Sequence, residues 1–175
     1  FALSGFWIGA RQEMDLMGIF IIALITGNGG GIIRDLFLQK TPTVLSDLSA
    51  LYIVAGAFLF GVILHYMKSF DIERRGVFVL SDSIGLVAFS FTGTMAGLDA
   101  GLNIFGVTVL SFITATGGGI LRDLIVNEVP TVMKSEFYGS VAVVVALAMY
   151  GLDHYNMATE LNIFLLFLSA LFLRL

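Results

Sequence analysis

Two arginine–aspartate pairs, Arg34–Asp35 and Arg122–Asp123, are the residues of this chain best placed to do chemistry, because each closes a long apolar stretch. An ionisable side chain near a bilayer centre costs on the order of 3 kcal/mol on insertion scales, so such residues face the bundle interior and are paired. Adjacent helical positions point about 100° apart, which lets one member of each pair face a polar path while the other holds a partner. The arginines are expected to approach the path. The competing structural reading is an Arg–Asp pair that fixes how two parts of the molecule dock.

A glycine triplet stands just ahead of each pair: Gly29, Gly30 and Gly31 before Arg34, and Gly117, Gly118 and Gly119 before Arg122. Three glycines surrender helix propensity and allow the backbone to bend or unwind, which is tolerated at membrane depth only where protein or a watery cavity satisfies the freed groups. Breaks at both triplets would expose carbonyls suited to cations. The alternative is that the glycines are smooth surfaces for close helix packing. Polar neighbours favour the first reading: Thr26 and Thr114 precede the triplets by three residues, Asn28 and Thr116 by one.

Asp82, flanked by Ser81 and Ser83, is a further candidate for polar lining, with a water-exposed interfacial carboxylate as its alternative. Glu13, Asp15, Asp47, Asp99, Glu128, Glu136, Asp153 and Glu160 fall near expected helix ends, where solvated charge suffices. Trp7, Tyr52, Tyr66, Tyr138, Tyr150 and Tyr155 are candidate interfacial anchors. The chain has no cysteine, and its two histidines are not at ligand spacing, so no metal or cofactor is assigned. An aspartyl dyad of Asp35 and Asp123 is disfavoured because each adjacent arginine holds its carboxylate ionised, against a shared proton. Catalysis is therefore not expected. Scattered basic residues give no footprint for nucleic acid.

What must position these residues is lipid-embedded helix. Of the 175 residues 58% are hydrophobic and 13% charged, with a mean hydropathy of +0.97, which excludes a soluble globule. Apolar spans fall at about 15–38, 45–67, 76–98, 103–127, 136–152 and 160–175. The opening "FALSGFWIGA" is too short to cross alone. Shifting the chain by 88 residues, without a gap, makes residues 1–45 and 89–133 identical at 16 positions, including both prolines, Pro42 and Pro130. This is internal duplication. Because Phe1 falls on Phe89 inside the span 76–98, the opening run is expected to be the end of an equivalent helix whose first dozen or so residues are absent from this chain.

The expected fold is thus an all-α integral membrane protein of seven transmembrane helices, the first truncated. Residues 1–67 form repeat 1, 76–152 repeat 2, and 160–175 the seventh helix. Three crossings per unit insert the second repeat upside down relative to the first, about a pseudo-two-fold axis in the membrane plane. Arg34 and Arg122 then approach a common constriction from opposite directions, as a gate or as counter-ions for nearby carboxylates. Arg11, Lys68, Arg74, Arg75, Lys134 and Arg174 fall on one side and Lys40 on the other, which puts the "MKSFDIERRG" connection and the C-terminus in the cytoplasm.

The paired "GGGIIRDL" and "GGGILRDL", each followed by "PTV" within such repeats, resemble the prokaryotic trimeric intracellular cation (TRIC) channels. The resemblance implies a homotrimer in a prokaryotic plasma membrane, surrounded by lipid, with one pore per subunit for monovalent cations, chiefly potassium and also sodium. It places Gly29, Gly30, Gly31, Arg34, Gly117, Gly118, Gly119 and Arg122 at that pore. Inverted repeats with broken helices are equally the mark of alternating access, so a small-solute transporter, for example of glycine, is the alternative. A purely structural membrane subunit is the third.

Overall fold

The computed structural model describes residues 1–66 and 74–175; the basic connection holding Lys68, and the side chains of Tyr66, Arg74 and Arg75, lie outside the described residues. Within them every regular element is helical: α1 (Ala2–Arg11), α2 (Leu16–Phe37), α3 (Thr43–Ser46), α4 (Ser49–Tyr66), α5 (Arg74–Asp99), α6 (Ile104–Ile125), α7 (Thr131–Lys134), α8 (Tyr138–His154) and α9 (Glu160–Arg174). The expected spans fall on α2, α4, α5, α6, α8 and α9. Three helices, Leu16–Phe37, Gly76–Asp99 and Ile104–Ile125, are long and apolar enough to cross a membrane by length and composition, with mean hydropathies of 1.9, 1.5 and 1.8. The others are shorter.

Helix ends follow local chemistry that repeats at the 88-residue offset. Asp15 accepts from the Gly18 amide at 2.7 Å to start α2, and Asn103 accepts from Gly106 at 2.9 Å to start α6. Both helices end in a left-handed residue, Gln39 (φ 54°) and Asn127 (φ 56°), as α1 ends at Glu13 (φ 55°) and α5 at Gly101 (φ 67°).

α2 and α6 pack at the centre, and the facing positions run in opposite senses. Ile33 meets Gly117, Gly30 meets both Gly117 and Thr114, and Gly29 meets Gly118 and Leu121. The two repeats therefore enter antiparallel. Phe1 and Phe89, equivalent in the two repeats, touch each other edge-on with ring centroids 5.3 Å apart, which sets the pseudo-two-fold axis between them. α8 and α9 close the second repeat around Val87, Phe91, Val145 and Ala170. α4 is apolar on all sides and exposes Tyr52, Ile53, Leu59, Phe60 and Ile63, a surface suited to lipid. With tails as apolar as leucine outside, close packing and interhelical hydrogen bonds hold such a bundle together.

Candidate functional site

The glycine triplets lie where α2 crosses α6. A Cβ on Gly30 would sit 2.0 Å from the Thr114 carbonyl oxygen, and one on Gly118 would sit 2.2 Å from that of Thr26. Gly29 and Gly117 are nearly as confined, by Leu121 and Ile33 at 2.8 and 2.9 Å. These four glycines bring two backbones together, and both helices run through the triplets without interruption. The expected breaks are corrected accordingly: helical hydrogen bonding survives, and the missing Cβ atoms admit the neighbouring helix.

Thr26 and Thr114 also serve packing. Each hydroxyl donates at 2.6 Å to its own helix, to the Ile22 and Leu110 carbonyls. Each lies against a glycine of the preceding helix, Gly5 and Gly93 respectively. Thr116 donates to Phe112 O at 2.8 Å and is buried, whereas Asn28 donates to Leu24 O at 3.0 Å and borders a cavity.

Each aspartate fastens the short helix beyond it. Asp35 Oδ1 accepts from Arg34 Nε and Nη2 at 2.8 and 2.7 Å, while its Oδ2 accepts from the Thr43 amide and hydroxyl at 2.8 and 2.9 Å. Asp123 repeats the pattern, with Oδ1 on Arg122 Nε at 2.8 Å and Oδ2 on the Thr131 amide and hydroxyl at 2.7 and 2.9 Å. The repeated spacing from "RD" to "PTV" is thereby explained: Pro42 and Pro130 open α3 and α7, whose first amide the aspartate satisfies. Both carboxylates are fully engaged within their own repeats.

The two arginines differ. Arg122 is fully buried, and its Nη1 donates to Asp82 Oδ1 at 2.7 Å and to Ser4 Oγ of the other repeat at 2.9 Å. The Tyr138 hydroxyl donates to Asp82 Oδ2 at 2.8 Å. Phe78 lies 5.2 Å from the Arg122 guanidinium, and Arg174 stacks over the Tyr138 ring at 4.8 Å. Arg122 Nη2, beside Gly119, has no hydrogen-bond partner among the described residues, and neither does the buried Ser83 hydroxyl.

Arg34 instead bonds to Asp35 and leaves 18% of its side chain exposed. It borders a cavity of about 160 Å³ with Asn28, Gly31, Asp35, Ala50 and Thr92. The offset of 88 explains the difference, because it carries Tyr138 onto Ala50. Where repeat 2 has a phenol filling the space beside Gly119, repeat 1 has a methyl group and an opening. Thr92, the equivalent of Ser4, keeps its place in the wall.

Of the residues singled out from sequence, the structure brings Arg122, Asp123 and Asp82 together; their partners Ser4, Phe78 and Tyr138, and Arg174 over the Tyr138 ring, were not singled out for the site. Tyr138 is 2% exposed and Trp7 is 7% exposed, so neither is an interfacial anchor. Tyr52 and Tyr155 are exposed. Glu128 is not merely solvated: it accepts from Arg11 Nη2 and, at 3.2 Å, from Gln12 Nε2.

The all-helical bundle of this chain matches solved structures of prokaryotic TRIC channels. A prokaryotic TRIC channel crystallised in 0.5 M KCl superposes with a TM-score of 0.90 at 31% identity, covering 99% of this chain and 87% of that one. The TRIC orthologue from Rhodobacter sphaeroides gives 0.88 at 30%, covering 99% and 88%. A protein-family model described as "Glycine transporter" matches residues 1–66 and 79–154, and the chain belongs to that family. Among its relatives, a UPF0126 membrane protein of Deinococcus radiodurans is 35% identical over 154 residues, 86% of this chain and 70% of that protein. The UPF0126 membrane protein YvgT of Bacillus subtilis is 34% identical over 145 residues, 79% and 68% of the two. The resemblance drawn from the duplicated motif therefore holds, and the protein is an integral membrane protein.

Proposed function

We propose that the protein is a monovalent cation channel, chiefly permeable to potassium, with one pore per subunit passing between the inverted repeats at the glycine crossing. Three such subunits form the channel in a prokaryotic plasma membrane, with the C-terminus in the cytoplasm. The observation that carries this reading is the polar column on either side of the crossing: an open cavity at Arg34 and the buried Arg122 cluster. Within it Arg34 is paired with Asp35, and Arg122 with Asp82 and Asp123, while Arg174 lies over Tyr138 beside them. The arginines act as internal counter-ions to these carboxylates.

In this mechanism the Arg122 end is the barrier. Nη1 ties α6 to Asp82 on α5 and to Ser4 on α1, while Tyr138 ties α8 to the same carboxylate. Opening requires these elements to part together, and the partnerless Nη2 beside Gly119 can donate a hydrogen bond to water that enters there. The Arg34 end is the vestibule. No chemical reaction is assigned.

Single-channel recording of purified protein in planar bilayers tests the reading, with discrete potassium currents expected. Arg122→Ala should raise open probability and Arg34→Ala should alter unitary conductance. If both leave conductance and gating unchanged in folded protein, the arginines do not line the path. A second reading, a glycine-type transporter, is favoured by a site open at one end and closed around Arg122 at the other. Saturable glycine counterflow without unitary currents would establish it instead.

A further inference from the structure

Charge at four surface positions follows the duplication in an unexpected way. Arg11 and Glu128 meet across the two repeats, joining the end of α1 to the turn after α6. Under the 88-residue shift Arg11 falls on Asp99 and Glu128 falls on Lys40, so both signs are reversed. The backbone at these sites is equivalent: Lys40 N donates to Asp35 O at 2.8 Å and Glu128 N to Asp123 O at 2.9 Å. Likewise Glu13 N donates to Ala10 O, and Gly101 N to Leu98 O. Lys40 and Asp99 are both exposed at the opposite end of the bundle.

We propose that Arg11, Lys40, Asp99 and Glu128 form a charge code that selects which repeats pair, repeat 1 carrying two positive positions and repeat 2 two negative ones. In the native arrangement Arg11 meets Glu128 at one end, and the pseudo-two-fold puts Lys40 and Asp99, exposed and opposite in sign, at the equivalent positions of the other. Two copies of repeat 1 docked through the same surface would set Arg11 against Lys40 at both ends, and two copies of repeat 2 would set Asp99 against Glu128. Each mispairing is repulsive twice over. The glycine crossing supplies no such discrimination, because Gly29–Gly31 and Gly117–Gly119 are the same in both repeats. Close packing there would suit a like repeat from a second copy of the chain almost as well as the proper partner. Opposite charges flanking a near-symmetric apolar interface provide selectivity through repulsion of the wrong partner. The inference depends on the fold and not on the channel reading.

The test is a set of charge reversals in the full chain, followed by reversible unfolding of the detergent-solubilised protein. A double-mutant cycle of Lys40→Glu with Asp99→Lys should give a coupling of about two- to five-fold in the folding equilibrium, the range of an exposed ion pair, matching that of Arg11→Glu with Glu128→Lys. Asp99→Lys with Glu128→Lys should reduce the fraction of monodisperse protein, and adding Arg11→Glu with Lys40→Glu should restore it with every sign inverted. At about 1 M salt, where the Debye length is about 3 Å, these differences should shrink. The proposal is overturned if Asp99→Lys has the same effect whether residue 40 is Lys or Glu, if the quadruple variant is no better than the double, or if the differences survive high salt undiminished.

Discussion

Glycines of one triplet are not interchangeable, because only some of them face another backbone. Gly30→Ala would drive a methyl group into the Thr114 carbonyl and should destabilise the protein by about 3 kcal/mol or more, the upper range for overpacking. Gly31 meets nothing nearer than Phe89 at 4.0 Å, so Gly31→Ala should stabilise α2 by about 0.5–1 kcal/mol through helix propensity. Denaturant unfolding in detergent distinguishes the two. A similar contrast separates the arginines. Arg122→Ala strands a buried Asp82 and should cost about 3–5 kcal/mol, whereas Arg34→Ala leaves Asp35 bound to Thr43 and should cost much less. Tyr138→Phe removes one donor from Asp82 and should cost about 1–3 kcal/mol, read by the same unfolding.

At the scale of elements, the duplication fixes where helices start and stop, and one of its mismatches is a point of strain. Glu13 takes at φ 55° the left-handed turn that Gly101 takes at φ 67° in the other repeat. Glu13→Gly should therefore raise the unfolding free energy by about 1 kcal/mol, checked by a shift in thermal midpoint. The same comparison shows what could be read from sequence. Helix limits, the antiparallel entry of the second repeat and the Arg–Asp pairs were legible because 16 identities at a fixed offset leave little freedom. Whether the triplets break or cross was not, since helix propensity is the same for a glycine that faces water and one that faces a carbonyl. The partners Ser4, 118 residues from Arg122, and Tyr138, 56 residues from Asp82, were invisible for a different reason: nothing local ties them to the site. A signal did exist in the offset, which sets Ser4 on Thr92 and Tyr138 on Ala50.

For the whole molecule, that last substitution sets one end of the bundle apart from the other. Two repeats with the same helices and the same motif give one sealed end and one open one, because the repeat 1 position equivalent to Tyr138 carries a methyl group. Ala50→Tyr should fill the cavity beside Arg34 and lower unitary conductance in planar bilayers while leaving the thermal midpoint near that of the unmodified chain. Unchanged conductance in that variant would mean that ions do not pass through the cavity.

The carboxylate bridges from Asp35 to Thr43 and from Asp123 to Thr131 couple these ends to the short helices that follow. Each aspartate holds an arginine with one oxygen and a short surface helix with the other, so α3 and α7 act as external handles on the guanidinium groups. A probe attached to α7 would register displacement of Arg122 without touching the interior, and a ligand that pulled on α7 would turn the same lever from outside.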